Sequence, residues 1–166
     1  AEAGKPEFVS IRTARQLNNL SAYYDKYADE KVLPKNAAFQ QERDIDYSTY
    51  VWTKYGKGGK PVTEQAPMSL FQATPFKHRY DGGSHIITGV SFASGKDGLA
   101  VGLFGFTEGT LENIVVTTEE PLEKAPTSKL GGNVQWKTVY TGVLAGKNSG
   151  TIKNCAVSGY RLSGSA

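Results

Sequence analysis

Cysteine occurs once in this chain of 166 residues, at Cys155, and methionine also occurs only once. A single cysteine cannot form an internal disulfide bond, so the fold depends on its core; an oxidising location is neither required nor excluded. The chain also lacks any apolar run close to the ~18 residues that a membrane-spanning helix needs. We therefore expect a protein that is not inserted in a membrane.

The chain also has little excess of positive over negative charge and few histidines. The 19 Lys and Arg residues are scattered among 16 Asp and Glu residues, for a formal net charge of +3. Nucleic-acid-binding domains usually carry clustered basic residues, so nucleic acid is not an expected partner. The only histidines are His78 and His85. Neither has a cysteine or glutamate at ligand spacing, which argues against a zinc site.

Glycine, in contrast, is abundant, with 19 residues, and tyrosine (9) and phenylalanine (7) are plentiful. This composition favours strands and tight turns over a helical bundle. The length suits one domain, spanning residues 1–166. Because the chain starts with neither an initiator Met nor a signal peptide, we expect a fragment of a larger protein.

The first predicted elements, within residues 1–38, are a strand and a helix. Apolar and polar residues alternate from Phe8 to Ile11, which suits a short strand. Thr13 and Gln16 then fit a capping box at a helix N-terminus. Five residues at helical spacing predict an amphipathic helix over 14–29, with its apolar face on a core: Leu17, Leu20, Tyr24, Tyr27 and Ala28.

The remainder, residues 39–166, contains an internal repeat. Six residues recur 41 positions later: Gly105, Gly109, Thr110, Leu111, Asn113 and Val116 correspond to Gly146, Gly150, Thr151, Ile152, Asn154 and Val157. A fainter copy is offset by 24 positions: Ile87, Gly89, Val90 and Phe92 precede Leu111, Asn113, Ile114 and Val116. Such periods are typical of stacked repeats.

We predict a mainly β fold: a short parallel, right-handed β-helix with an N-terminal capping α-helix. A spacing of 24 would be one coil, and 41 would be a coil with an insertion of roughly 17 residues. Each repeated glycine permits a tight bend, Leu111 and Ile152 point inward, and Asn113 and Asn154 take the next bend. Equivalent asparagines in successive coils are expected to form a hydrogen-bonded ladder.

Two insertions are predicted. Residues 53–67 hold five glycines and prolines, with Lys54, Lys57 and Lys60 among them, which predicts a mobile, basic loop. Residues 117–135 are polar and turn-rich and form the second insertion. Several aromatic residues and lysines in or near these segments are candidate ligand-binding residues, because tyrosine and tryptophan beside cations are common at interface hot spots. They are Tyr47, Tyr50, Trp52, Tyr55, Lys57, Lys60, Trp136 and Tyr140.

The stretches Gly-Leu-Phe-Gly-x-x-x-Gly-Thr-Leu-x-Asn from Gly102 and Val-Leu-Ala-Gly-x-x-x-Gly-Thr-Ile-x-Asn from Val143 resemble the GLUG repeat of bacterial surface and adhesin-like proteins. The upstream segments around Ile11, Asp44 and Tyr80 resemble the part that often precedes such repeats. The resemblance implies a secreted or cell-surface location and a monomeric, non-catalytic module that binds a host protein or glycan. Because some surface proteins of this kind capture immunoglobulins as superantigens, antibody variable domains are the specific expectation.

Two alternatives stay open. A carbohydrate-active β-helix, such as a polysaccharide lyase or glycosidase, would need facing carboxylates, for which Asp44, Asp46 and Asp81 are the candidates. In the repeat pattern these acids fall at turns and coil edges, and no nucleophile elbow, phosphate loop or dinucleotide fingerprint is present. We therefore expect no enzyme, no metal ion and no cofactor, with Cys155 a small packed residue. The other alternative is a structural stalk segment.

Overall fold

The computed structural model describes residues 8–27, 33, 36–55, 57–65, 70–90, 100–117, 127–129, 140–158 and 161–163. In chain order the elements are β1 (Phe8–Ile11), α1 (Ala14–Tyr27), β2 (Ala38–Gln41), β3 (Ile45–Asp46), a 3-10 helix (Tyr47–Thr49), β4 (Val51–Tyr55), β5 (Pro61–Gln65), β6 (Arg79–Asp81), β7 (Ile86–Thr88), β8 (Ala100–Val101), β9 (Phe104–Thr107), β10 (Thr110–Glu112), β11 (Val115–Thr117), β12 (Thr127–Lys129), β13 (Tyr140–Thr141), β14 (Ala145–Asn148), β15 (Thr151–Lys153), β16 (Ala156–Ser158) and β17 (Arg161–Ser163). The prediction of a mainly β fold with parallel sheets is confirmed.

Two parallel sheets dominate the described part of the chain. One has the order β1-β2-β6-β10-β15 and the other the order β16-β11-β7-β3. Three smaller parallel pairs join β8 with β13, β9 with β14 and β12 with β17. Since parallel neighbours cannot be joined by a tight hairpin, each strand is reached after a long excursion of the chain.

The predicted stacking of the repeat is confirmed. Leu111 lies opposite Ile152 on parallel strands β10 and β15, and Val116 lies opposite Val157 on β11 and β16. Asn113 and Asn154 both adopt left-handed backbone, with φ of 54° and 53°. The Asn154 side-chain amide donates to the Asn113 Oδ1 atom at 2.6 Å. The predicted asparagine ladder therefore exists.

The predicted spacing of 24 is wrong. Leu111 lies opposite Tyr80 in the five-stranded sheet, whereas Ile87, its predicted equivalent, lies opposite Val116 in the four-stranded sheet. Gly89 and Asn113 both have positive φ, 71° and 54°, but they follow β7 and β10, which belong to different sheets. The sequence alignment at a spacing of 24 therefore paired a corner of the four-stranded sheet with a corner of the five-stranded sheet.

The chain returns to the same column of the five-stranded sheet at unequal intervals. The paired residues that mark successive returns are Phe8, Ala38, Arg79, Thr110 and Thr151. The two longer returns, which end at β6 and at β15, contain β4 with β5 and β12 respectively. The two shorter returns, which end at β2 and at β10, contain α1 and strands β7 to β9.

Helix α1 begins where the capping box predicts. The Thr13 hydroxyl oxygen accepts from the Gln16 backbone N–H at 3.1 Å, which satisfies one of the unpaired amides of the first turn. The Gln16 side chain accepts from the Arg12 N–H at 2.7 Å, one residue before the helix cap. The helix ends at Tyr27, and the predicted continuation to 29 lies outside the described residues.

The core joins α1 to the parallel sheets through aromatic side chains. Leu17, Leu20 and Tyr24 of the helix are at most 3% exposed. The Tyr24 ring lies 5.3 Å from that of Phe76, and the Phe71 and Phe104 rings stack at 5.6 Å. Full burial of each such side chain contributes roughly 1.5–3 kcal/mol. Among the described residues, no helix is long and apolar enough to cross a membrane.

Residues 53–67, predicted as a mobile loop, contain a β-hairpin instead. Strands β4 and β5 pair antiparallel over five positions, from Val51 opposite Gln65 to Tyr55 opposite Pro61. Gly58 and Gly59 lie in the connecting turn with φ of 84° and 74°, a conformation that favours glycine. Gly58 and Gly59 therefore form the turn, and Lys54, Lys57, Lys60 and Pro61 lie on or beside an antiparallel ribbon.

Because two tyrosines are buried, we expect the free energy of unfolding to fall at alkaline pH. Tyr80 is fully buried and donates to the Gln41 side-chain oxygen at 3.1 Å, and burial raises its pKa well above the usual value. Burial raises the pKa of Tyr47 in the same direction. The unfolded chain loses these protons near pH 10, whereas the folded chain keeps them. Stability should therefore be intact below pH 10 and fall above it by about 1.4 kcal/mol per pH unit for each tyrosine.

Urea unfolding at pH 8, 10 and 11 measures this loss. Tyr80→Phe should remove about half of the slope assigned to the two tyrosines, since it removes one of the two protons involved. Tyr55→Phe is the matched control, because the Tyr55 side chain is 78% exposed. Equal alkaline slopes for Tyr80→Phe and the unchanged chain would contradict the assignment.

Candidate binding surface

The hairpin of β4 and β5 brings several predicted binding residues to one antiparallel ribbon. Tyr55 ends β4 with a side chain that is 78% exposed, and Lys57 and Lys60 follow it as exposed residues. Trp52 lies in the middle of β4, opposite Glu64. The two strands form a two-stranded sheet of their own and pair with no other described strand. Tyr55, Lys57 and Lys60, which we call the hairpin tip, are open to solvent.

Tyr47 is a correction to the predicted set. Its side chain is fully buried, and its hydroxyl donates to the Asn18 Oδ1 atom of α1 at 2.5 Å. The Tyr50 ring lies 6.0 Å from the Tyr47 ring and packs partly against the core. Tyr47 therefore fixes the base of the hairpin to the helix, and Tyr50 is only partly available to a ligand.

The remaining two predicted residues belong to the region of the second insertion. Tyr140 lies in β13, opposite Ala100 of β8. Trp136 lies outside the described residues. The structure thus brings Trp52, Tyr55, Lys57 and Lys60 together on one ribbon, while Tyr140 belongs to a different strand pair.

The acidic residues considered for catalysis each bond to a nearby corner of the chain. Asp44 accepts from the Ile86 backbone N–H at 2.8 Å, and Asp46 accepts from the Ser48 N–H at 3.0 Å. Asp81 accepts from the Gly83 N–H at 2.8 Å. Carboxylates bonded to backbone amides in this way stabilise turns. Their geometry favours the structural interpretation of these three residues.

The histidines and the cysteine are also held by local contacts. The His78 Nδ1 atom lies 2.7 Å from the Tyr24 hydroxyl oxygen, and the His85 Nδ1 atom lies 3.5 Å from Asp44 Oδ1. Burial raises the pKa of the half-buried Cys155 thiol, so a smaller fraction of the side chain is thiolate at neutral pH. No group of three or more His, Cys, Asp or Glu side chains within the described ranges could hold a metal ion.

One polar feature was not anticipated from the sequence. Glu112 of β10 is only 4% exposed and forms ion pairs with Arg79 of β6 and Lys153 of β15. Its Oε2 atom lies 3.3 Å from the lysine Nζ atom. The repeat already aligned Glu112 with Lys153, so opposite charges at equivalent positions were a usable signal. Arg79 could not be found, because no repeated residues align β6 with β10.

Asp81 starts a second polar column across the sheet. Its Oδ1 atom accepts from the Asn113 side-chain amide at 3.0 Å, and Asn113 accepts in turn from Asn154 at 2.6 Å. Asn113 and Asn154 occupy equivalent corners after β10 and β15, whereas Asp81 is the residue of β6 that lies opposite Glu112, one position before the corner. The chemistry of this column is that of a structural ladder, whereas the hairpin tip presents an exposed tyrosine and two exposed lysines to solvent.

Comparison of the chain with models of known protein families, with curated proteins and with solved structures gave no match.

Proposed function

We propose that this chain is a non-catalytic binding module in which a parallel β-helix, capped by α1, carries a ligand-binding hairpin. The β-helix is supported by five parallel strands that recur in one column and by the second parallel sheet that runs beside it. In this proposal each return of the chain to the column is one coil, and the coils differ in length because the inserted segments differ. A rigid scaffold of this kind holds inserted segments in fixed positions, where binding residues are commonly found.

The observation that carries the proposal is the exposure of the hairpin tip. A tyrosine that is 78% exposed contributes little to the core, so burial within this chain does not account for it. Tyrosine offers a large, rigid contact area at low conformational cost, and neighbouring lysines attract acidic or polar groups. Tyr55 with Lys57 and Lys60 therefore has the chemistry of a protein-recognition surface.

For the ligand we propose a host protein, specifically an immunoglobulin variable domain, with the module displayed on a bacterial cell surface as part of a larger chain. The support for this ligand and location is the resemblance of the two Gly-x-x-x-Gly-Thr-aliphatic-x-Asn stretches to surface-protein repeats. The hairpin geometry adds a site that a folded domain could approach, since the ribbon lies outside the parallel sheets.

Tyr55→Ala is expected to weaken binding of purified immunoglobulin by about tenfold or more, as loss of an interface tyrosine commonly does. Surface plasmon resonance with intact antibody, Fab and Fc fragments gives the affinity and locates the epitope. Phe8→Ala is the matched control: Phe8 is an exposed aromatic residue at 59%, but it lies in β1. The affinity of the Phe8→Ala variant for immunoglobulin should equal that of the unchanged chain.

Three outcomes count against the proposal in different ways. Binding to the Fc fragment alone would replace the variable domain as ligand. Binding to polysaccharides in place of immunoglobulin, again lost in Tyr55→Ala, would move the ligand to the glycan class and keep the hairpin as the site. Absence of both activities would favour the structural stalk.

A further inference from the structure

The last strands of the two main parallel sheets expose side chains whose partners on the preceding strands are buried. Leu111 and Val116 are fully buried, yet their partners Ile152 and Val157 are 38% and 42% exposed. Strands β15 and β16 are the terminal strands of their sheets, so one side of each lacks a described neighbour. We call this side of β15 and β16 the open edge.

The backbone of the open edge is set up to receive a parallel strand. The Thr151 N–H donates to Gly109 O at 2.9 Å, and the Ala156 N–H donates to Ile114 O at 2.9 Å. Because alternate residues of a strand bond to the same neighbour, the N–H and C=O groups of Ile152 and Val157 face away from β10 and β11. Unpaired groups of this kind are a template for a further strand.

The side-chain column fixes the direction and the residue type of that strand. Asn113 donates its amide to Asp81, and Asn154 donates its amide to the Asn113 side-chain oxygen. The same geometry makes the Asn154 side-chain oxygen the next acceptor in the column. A residue placed above it needs a side-chain donor at a left-handed corner, which asparagine provides best.

The glycine corners add a steric requirement. A Cβ atom at Gly109 would clash with the backbone carbonyl oxygen of His78, and one at Gly150 would clash with that of Gly109. Successive corners therefore approach one another too closely for any side chain. A strand that continues this stacking needs glycine directly above Gly150.

We propose that the open edge is a docking surface for one further coil whose corner reads Gly-x-aliphatic-x-Asn. The occupant stacks in parallel register, with its aliphatic residue above Ile152, its asparagine above Asn154 and an acidic side chain favoured near Lys153, which is 61% exposed. The inference rests on the β-helix of the proposed function and is independent of the ligand of the hairpin tip. It continues the contact already made between β10 and β15.

Hydrogen exchange of two amides tests the proposal. A second copy of residues 118–158 is inserted after Ser158 of the full chain, which supplies one coil with the required corner. Exchange of the Ile152 and Val157 amides should slow by a factor on the order of ten or more, because these N–H groups become bonded to the new coil. The Thr151 and Ala156 amides, already bonded to the preceding strands, serve as internal references.

The matched control carries Gly150→Val and Ile152→Asp within the inserted copy only. This extension has the same length but lacks the corner and the apolar contact, so the two edge amides should exchange as in the original chain. Equal protection by both insertions, or protection by neither, would overturn the proposal. Concentration-dependent protection in the original chain would also overturn it, since a second copy would then be the occupant. Immunoglobulin binding, measured on the same proteins, reports separately on the hairpin tip.

Discussion

Leu111→Ala is expected to lower the free energy of unfolding by about 3 kcal/mol, and Ile152→Ala by about 1 kcal/mol. The two residues occupy the same position of the repeat and lie opposite each other on neighbouring parallel strands. Leu111 is fully buried between Tyr80 and Ile152, so its truncation leaves a cavity that close-packed neighbours cannot fill. Ile152 is 38% exposed, and water fills the space left by its truncation.

Chemical denaturation followed by far-ultraviolet circular dichroism gives both values, provided that the slopes with denaturant stay equal. The comparison is internal, because both changes remove an aliphatic side chain from the same column of one sheet. Equal losses for the two variants would show that Ile152 is covered by something in solution. A negligible loss for Leu111→Ala would show that the stacked aliphatic column does not support the fold.

The repeat makes the pairing of β10 with β15 in this column predictable from the sequence. Coincidence of glycine, an aliphatic residue and asparagine at one spacing required the two segments to have the same local structure. Parallel pairing is the arrangement that stacks identical bends in register, and Leu111 and Ile152 indeed lie opposite each other. The helix start was predictable for a local reason as well, since the Thr13 hydroxyl and the Gln16 side chain bond to backbone amides within one turn.

The returns of the chain to this column at β2, β6 and β10 were not predictable, because the segments involved share little sequence. Phe39, Tyr80 and Leu111 occupy one column of the sheet, although one is phenylalanine, one tyrosine and one leucine. Burial requires only that they be large and apolar, so no repeated residue type marks the position. The corners differ too, since the segment that joins β6 to β7 is longer than the one that joins β10 to β11.

For the candidate binding residues, too, local sequence features were predictable and contacts between distant segments were not. Glycine and lysine content predicted a mobile, basic loop, and Lys57 and Lys60 are exposed residues at the turn of a hairpin. Burial of Tyr47 depends on Asn18, far away in the sequence on α1, and no local pattern reports such a contact. The glycines that make a segment look irregular also permit the turn of a hairpin, so composition alone does not distinguish a loop from a ribbon.

Gly109→Ala is expected to lower the free energy of unfolding by about 3 kcal/mol or more, or to prevent folding. The added Cβ atom would meet the backbone carbonyl oxygen of His78 and lie 2.7 Å from the Lys77 carbonyl carbon. Neither atom belongs to a flexible side chain, so β10 has to move away from the segment before β6. That movement would break the Thr110 N–H bond to His78 O, which is 2.9 Å long.

Two further glycines make this expectation measurable even if Gly109→Ala does not fold. At Gly150 the clash is with Gly109 and Glu108, but the terminal strand has no described neighbour beyond it, so a shift outward limits the loss to about 1–2 kcal/mol. Gly58 has a φ of 84° and nothing within 4 Å of an added Cβ atom, so Gly58→Ala should cost about 1 kcal/mol of backbone strain alone. Losses that do not fall in the order Gly109, Gly150, Gly58, measured by urea unfolding, would mean that close contact between successive corners does not hold the sheet in register.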